Sequence, residues 1–211
     1  MHITFNIETA TDEESPSVAS LSVEAMPAPS GWKDPIKIRE RQEENFMKEL
    51  STAMLEPLTG KIVCISHQNL TSDGAIAGDI VSNCAPQPEH DMLDEFARYI
   101  RPYVDSTLVT YNGESFDVPY TISRMMAHGI SIPPLLRKAG QKKWDSHLDM
   151  FKVMNKSGKL KEWALRFGME PLFGDGSLVG GWYDEEDYAS ILRHCEDNVR
   201  ATTLLARRYV G

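Results

Sequence analysis

Short apolar strands alternate with amphipathic helices along most of this chain, and that alternation restricts its fold more than any other feature. Ile3, Phe5 and Ile7 alternate with polar residues and predict the first strand at 2–7. Other β-rich stretches predict further strands at 61–66, 75–82, 107–111 and near 144–148. Helices are predicted between and after them at 89–100, 117–128, 160–167 and 185–209. The pattern favours an α/β fold in which helices flank one mixed sheet.

One segment interrupts this alternation. Residues 9–35 are acidic and then rich in proline and serine, so we expect little regular structure there. Asp34 followed by Pro35 is typical of a helix start, and the helix is predicted to end near Pro57. The length of 211 residues suits one domain of this class. We therefore predict a single domain over 1–211 with an insertion of a loop plus a helix at about 10–57.

Composition excludes several classes of protein. No apolar run approaches the roughly 18–20 residues that span a bilayer, and the N-terminus lacks the basic start and apolar stretch of an export signal. The three cysteines (Cys64, Cys84 and Cys195) are odd in number, far apart and without a CxxC spacing. They predict neither a disulfide framework nor a structural zinc site. We expect a cytoplasmic protein with no membrane partner.

Charge is unevenly distributed. The net charge of −9 argues against a protein that coats nucleic acid nonspecifically. Between Val118 and Phe167, however, ten basic residues face only three acidic ones. Such a local excess could bind a polyanion, or it could be an ordinary solvated surface. Charge alone leaves both interpretations open.

Acidic and amide side chains recur at three places where chemistry could occur. In FNIET (5–9), Asn6 and Glu8 share one face of a strand because side chains alternate with a period of two. In YNGESFD (111–117), Asp117 lies at a loop-to-helix junction. In HCEDNVRAT (194–202), His194 and Asn198 are four apart and point the same way on a helix. Each has an ordinary alternative: a surface charge, a helix cap or a packed histidine.

Together, in this order and spacing, the three segments resemble the DEDD (DnaQ-like) 3′–5′ exonucleases. The likeness is strongest to the phage and bacterial branch related to the exonuclease domain of family B DNA polymerases. The motifs of that branch are F-D-I-E-T, Y-N-G-x-x-F-D and Y-C-x-x-D-V-R-A-T. The resemblance implies an RNase H-like fold with a five-stranded mixed sheet flanked by helices. It also implies hydrolysis of phosphodiester bonds from DNA 3′ ends, with single-stranded ends as the expected substrate and RNA left open.

The resemblance further implies a two-metal mechanism with Mg²⁺ or Mn²⁺, which are hard cations that prefer oxygen ligands. Positions 6, 8 and 198 would ligate one ion, and positions 6 and 117 the second. Position 194 would orient or deprotonate the attacking water. The expected nucleic-acid contacts are Thr9, Asn112 and Phe116 within the motifs, and Arg137, Lys138, Lys142 and Lys143 in the basic segment.

Two departures from the family pattern bear on activity. Asn6 and Asn198 stand where the family has aspartates, so roughly four negative charges become two, on Glu8 and Asp117. An amide oxygen can ligate a cation but carries no charge, so we predict weak metal binding and a loss of activity by orders of magnitude. A deliberate inactivation and a natural non-catalytic relative both fit. The first is favoured because the same near-isosteric exchange occurs twice in intact motifs, and asparagine codons in the native gene would contradict it.

Other polar residues near the motifs, and one alternative function, also bear on this interpretation. His194 replaces the tyrosine of this branch and could still act as a general base near neutral pH. Asp197 lies about 100° around the helix from Asn198 and is not expected to replace it. His147 and Asp149 are expected to have a structural role at a strand end. The alternative function is a non-catalytic module of the same fold that binds nucleic acid or a protein partner.

Overall fold

The computed structural model describes residues 1–141 and 146–211. Within these ranges, five strands form one sheet in the order β3-β2-β1-β4-β5. The strands are β1 (His2–Thr11), β2 (Gly60–Leu70), β3 (Val81–Cys84), β4 (Thr107–Thr110) and β5 (His147–Asp149). β1 pairs in parallel with β4, and β4 with β5, whereas β2 and β3 are antiparallel. The predicted mixed sheet of the RNase H-like fold is therefore confirmed.

Helices connect and flank these strands. They are α1 (Pro16–Ala19), α2 (Pro35–Ala53), α3 (Glu89–Ile100), α4 (Asp117–Ala127), α5 (Pro134–Gly140), α6 (Met150–Val153), α7 (Leu160–Arg166), α8 (Val179–Asp184) and α9 (Tyr188–Val210). Two short 3-10 helices lie at Val23–Ala25 and Gly176–Leu178. In the part of the chain that the structure describes, none of the helices combines the length and apolar character needed to cross a membrane.

The alternation of side chains along β1 determines what lies on each face of the sheet. Ile3, Phe5 and Ile7 are buried in one apolar core with α3, where the rings of Phe5 and Phe96 stack with centroids 5.3 Å apart. Asn6 faces the other way and contacts Cys195 of α9. The predicted strand thus buries its apolar side against one helix layer and presents its polar side to another.

By its internal packing the chain divides into two compact units, one of Met1–Glu8 with Ile62–Gly211 and the other of Thr9–Lys61. Inside the second unit, α2 begins as predicted, with the Asp34 carboxylate accepting hydrogen bonds from the first turn. Asn45 of α2 donates to the carbonyl of Pro27, 2.7 Å away, and so holds the preceding loop. The interpretation of 1–211 as one domain with an insertion at about 10–57 stays a prediction.

The strand predicted at 75–82 is mostly irregular: it follows a turn at 72–74, makes an isolated β-bridge between Leu70 and Ile76, and becomes a strand only at its end. Gly74 and Gly78 adopt φ values of +81° and +124°, in the left-handed region that favours glycine. Thr71 and Ala75 close the turn with a backbone hydrogen bond of 2.9 Å, and the strand starts only at Val81. The β-rich composition of 75–82 was misleading because these two glycines redirect the backbone.

A buried ionic cluster links α3, α4 and β2. The Glu89 carboxylate accepts hydrogen bonds from the Arg124 guanidinium at 2.6 and 2.9 Å, from His128 Nε2 at 2.7 Å and from the Ile62 backbone N–H at 2.7 Å. Burial by itself would raise the pKa of Glu89, but these donors outweigh it and the pKa is lowered. Glu89 therefore stays ionised and neutralises a guanidinium that is itself buried.

Replacing Glu89 with alanine should lower the free energy of unfolding by about 3–5 kcal/mol, since it removes the carboxylate that accepts two hydrogen bonds from the buried Arg124 guanidinium. Urea denaturation measures the loss. Asp94→Asn is the matched control, because it breaks a solvent-exposed pair with Arg98 and should cost about 1 kcal/mol or less. Equal effects of the two substitutions would contradict a structural role for the buried cluster.

Candidate functional site

The three motif segments converge on one cleft of about 270 Å³. Since β1 and β4 are parallel, their carboxyl ends lie at the same edge of the sheet, and the loop after β4 carries the second motif beside the first. α9 supplies the third. All seven of the following predicted residues line the cleft: Asn6, Glu8, Asn112, Phe116, Asp117, His194 and Asn198. Residues that are distant in sequence are therefore brought together by the strand order.

Glu8 is the centre of this cluster. One carboxylate oxygen, Oε1, accepts hydrogen bonds from the side-chain amides of Asn6 at 2.9 Å and Asn198 at 3.1 Å. His194 Nε2 lies 3.7 Å from the same oxygen. Burial raises the pKa of Glu8, while His194 and the two amides act in the opposite direction. The amides thus provide the buried carboxylate with the hydrogen bonds that solvent would otherwise supply.

His194 is held in a fixed orientation by a backbone group. Its Nδ1 is 2.6 Å from the carbonyl oxygen of Phe173, which makes Nδ1 the protonated donor nitrogen. Nε2 then faces Glu8 and lies 3.3 Å from the Asn198 amide nitrogen. Because a neutral imidazole with a proton on Nδ1 has an acceptor at Nε2, the ring presents its basic nitrogen to the cleft.

Asp117 is the second carboxylate of the cleft. It is buried at the first turn of α4, and its Oδ1 accepts a hydrogen bond from the Ile7 backbone N–H at 3.1 Å. Burial raises the pKa of Asp117 to about 7, and the carboxylate of Glu8 adds to the effect. Without a nearby cation, Asp117 is therefore largely protonated below neutral pH.

The donor set of the cleft, meaning the side chains that could ligate a metal, does not suit a pair of divalent cations. It consists of two carboxylates and two amides, and both amides direct Nδ2, which cannot ligate a cation, towards Glu8. Among residues 1–141 and 146–211, no group of three or more His, Cys, Asp or Glu side chains is placed to hold a metal ion. Two carboxylates also carry half the charge of two divalent ions. The residues present do not fit a metal pair, whereas aspartates at 6 and 198 would supply four carboxylates.

One wall of the cleft could not be identified from the sequence. It is formed by residues 159–161, 172 and 174–176, with Lys159 and Lys161 among the lining residues. Lys161 pairs with Asp175 at 2.8 Å, and this bond lowers the pKa of Asp175. Lys159 is exposed. The basic excess of 118–167 was the available signal for this wall, but charge alone could not indicate which lysines face the cleft.

The remaining predicted nucleic-acid contacts are distributed differently. Arg137 and Lys138 lie on α5, where Arg137 donates to the Ile132 carbonyl and Lys138 to that of Val104, and neither lines the cleft. Thr9 is buried and is counted with the second compact unit. Lys142 and Lys143 lie outside the described residues. The role of all these residues in binding nucleic acid stays a prediction.

Two other acidic residues have structural partners, as expected. Asp197 Oδ2 accepts from the Phe173 backbone N–H at 3.1 Å, and its other oxygen pairs with Arg200. Asp149 accepts from the backbone N–H groups of Asn112 at 2.8 Å and Glu114 at 3.0 Å. Asp197 therefore fixes the loop that holds His194, and Asp149 fixes the loop that carries the second motif.

Curated relatives of this chain are DNA polymerases. That of Thermococcus aggregans is 26% identical, with 62% of this chain and 8% of the polymerase covered. That of Pyrococcus glycovorans is 24% identical, with 57% and 18% covered. That of Thermococcus sp. (strain 9oN-7) is 24% identical, with 72% and 22% covered. The chain thus spans less than a quarter of the length of these polymerases.

Solved structures with the same fold include exonuclease I of Escherichia coli. The complex of that enzyme with a dT13 oligonucleotide is 11% identical with a TM-score of 0.54, covering 98% of this chain and 40% of that one. The zinc-bound form with single-stranded DNA is 12% identical with a TM-score of 0.53, covering 98% and 39%. At this identity the likeness establishes the fold.

A family model establishes the relationship. The family, described as a predicted 3′-5′ exonuclease related to the exonuclease domain of PolB, matches residues 53–210. The match is well over half of the chain and includes the second and third motif segments. The chain therefore belongs to the family of predicted 3′–5′ exonucleases related to the exonuclease domain of PolB.

Proposed function

We propose that this chain is a 3′–5′ exonuclease domain for DNA 3′ ends whose metal-dependent hydrolysis is disabled by Asn6 and Asn198. The observation that supports it most is the convergence of the three motif segments on Glu8. Both asparagines are within hydrogen-bond distance of Glu8, at positions where carboxylates would instead repel it. Exchanging each asparagine for aspartate would add a negative charge without changing the side-chain shape.

The shape and charge of the cleft support a single strand as substrate. The cleft is lined by the aromatic residues Tyr111 and Phe116 and by the lysines at 159 and 161. Aromatic rings stack on unpaired bases, and lysines bind phosphates. Exonuclease I of Escherichia coli, which shares the fold, has been solved with a dT13 oligonucleotide. We infer that a single-stranded DNA 3′ end occupies the cleft, with Mg²⁺ or Mn²⁺ as the cation of an active form.

Each polar residue of the cleft has a role in this proposal. Glu8 and Asp117 provide the negative charge that remains. The Ile7 N–H, by bonding Oδ1 of Asp117, fixes that carboxylate beside Glu8. His194, with its Nδ1 proton engaged by Phe173, turns Nε2 into the cleft, where the Asn198 amide contacts it in this chain and water would be its partner in an active form. In this chain the two amides occupy Glu8 instead, so substrate would bind without being cleaved.

A non-catalytic module that binds nucleic acid is the second candidate. It is favoured by the complete hydrogen bonding of the cluster around Glu8, which is self-consistent with asparagine at both positions. The two candidates differ in one testable respect. An exonuclease regains activity when its carboxylates are restored, and a binding module does not.

The double reversion Asn6→Asp with Asn198→Asp should release nucleotides from a 3′-labelled single-stranded oligonucleotide at least about 10³-fold faster than the present chain in Mn²⁺. The physical reason is that two added carboxylates restore the charge needed to hold the cations. A single-turnover assay with excess protein measures the rate. Reverted protein that also carries Glu8→Gln is the matched control and should stay inactive.

Degradation of a 5′-labelled strand from its 5′ end would contradict the proposed polarity. If the folded reversion binds the oligonucleotide and does not cut it, the binding-module interpretation replaces the exonuclease. Comparison with an RNA strand of the same sequence then decides which nucleic acid is preferred.

The same reversion should destabilise the metal-free protein. Two new carboxylates would lie beside Glu8 in a buried site, so the melting temperature in EDTA should fall by about 5 °C or more. Mn²⁺ should recover the loss in the reversion and change the present chain little. Recovery should be greater at about pH 8 than at about pH 6, because Asp117, whose pKa is raised to about 7, must lose its proton before it can ligate a cation.

Thermal unfolding followed by circular dichroism measures these shifts. Samples in EDTA and samples with Mn²⁺ at both pH values make the comparison, with Asp117→Asn in the reverted protein as the control that should show a smaller pH dependence, because Glu8, whose pKa is also raised, still contributes. Equal Mn²⁺ stabilisation of the present chain and the reversion would show that Asn6 and Asn198 do not weaken metal binding.

A further inference from the structure

Three thiols that are far apart in sequence form a cluster behind the cleft. Cys64 lies on β2, Cys84 on β3 and Cys195 on α9, and all three are free. Cys84 and Cys195 both act on the thiol of Cys64, since each of them raises its pKa. Their separation in the sequence predicted no disulfide, but strand pairing and helix packing bring them close together.

The pairing of β2 with β3 places Cys64 and Cys84 directly opposite each other. The Ala85 N–H donates to the Val63 carbonyl at 2.8 Å, so the adjacent pair 63/85 is the hydrogen-bonded one. Cys64 and Cys84 therefore occupy a non-hydrogen-bonded pair, in which antiparallel Cα atoms are about 4.5 Å apart and side chains are closest. Disulfides span Cα separations of about 4.4–6.8 Å, so this pair can be linked without a large backbone movement.

Exposure and protonation give the two thiols different roles. Cys84 is half-buried, whereas Cys64 is buried. The neighbouring Cys64 thiol lowers the pKa of the Cys84 thiol, whereas Cys195, Cys84 and burial raise the pKa of Cys64. The thiolate is the reactive form, so an oxidant that reaches the surface meets Cys84 first. Cys64 is then the neighbouring thiol that can resolve the product.

We propose that Cys84 and Cys64 form a redox-modification site at which a peroxide-class oxidant produces a reversible disulfide. The Cys84 thiolate attacks the O–O bond, becomes a sulfenic acid and releases water or an alcohol. The sulfur of Cys64 then attacks the Cys84 sulfur and displaces hydroxide, which leaves as water with the proton of the Cys64 thiol. A dithiol reductant restores both thiols by exchange.

The third cysteine connects this site to position 6. Cys195 Sγ donates to the backbone carbonyl of Asn6 and accepts from its side-chain amide, each at 3.5 Å. The Cys84 thiol donates to the Tyr188 carbonyl at the start of α9, 3.7 Å away, and forming the Cys64–Cys84 disulfide removes that donor. Oxidation therefore alters the contacts of the helix whose Cys195 holds Asn6. This inference does not depend on the proposed exonuclease activity.

The test treats the intact chain with hydrogen peroxide in the presence of a chelator and maps its peptides without reduction. The expected result is a linked Cys64–Cys84 peptide pair that has lost two hydrogen atoms and separates after dithiothreitol. In a ¹⁵N-labelled sample, the side-chain amide resonance of Asn6 should shift on oxidation and return on reduction. Cys84→Ser should show neither the linked pair nor the shift.

Two further variants separate the steps. Cys64→Ala should accumulate a sulfenic acid on Cys84 that dimedone traps, and Cys195→Ser should still form the disulfide. Linkage of Cys64 to Cys195 instead, or oxidation of Cys84 to a sulfinic acid without linkage, would overturn the proposed site. An unchanged Asn6 resonance in the disulfide form would overturn the connection to position 6.

Discussion

The hydrogen bonding of one buried carboxylate organises the functional end of this protein. Glu8 is supplied with two amide donors and faces an imidazole nitrogen, and these partners come from β1 and α9. A buried carboxylate without such donors would be costly, so the cluster couples the position of α9 to that of the first strand. The two amides stabilise this carboxylate by hydrogen bonding and carry no charge of their own.

Several further hydrogen bonds fix the geometry around this cluster. The Ile7 N–H bonds Asp117 at the start of α4, and the polar groups of the loop after β4 bond Asp149 at the end of β5. Parallel pairing of β1, β4 and β5 brings these loops to one edge of the sheet. The loop around Phe173, held by Asp197, then positions His194. The cleft is thus assembled from backbone hydrogen bonds to acidic side chains, and not from one continuous segment.

The family relationship and the fold could be predicted from the sequence with good fidelity. The resemblance of the three motif segments to the exonuclease family indicated Asn6, Glu8, Asp117 and His194 as site residues, while the periods of strand and helix showed only that 6 shares a face with 8, and 194 with 198. The strand at 75–82 was mispredicted because β propensity does not report the left-handed glycines at 74 and 78. Lys159 and Lys161 could not be selected from ten basic residues, since only the packing of α7 decides which of them face the cleft.

The sequence by itself determined the polar and apolar faces of β1, the three motif segments and the presence of asparagine at positions 6 and 198. These are local properties, fixed by residue type and by the periods of strand and helix. The tertiary structure alone decided that both amides turn their nitrogens to Glu8, that burial raises the pKa of Asp117 to about 7, and that Cys64 and Cys84 lie opposite each other in the sheet. Hydrogen-bond partners, desolvation and strand register depend on distances between segments that only chain folding sets.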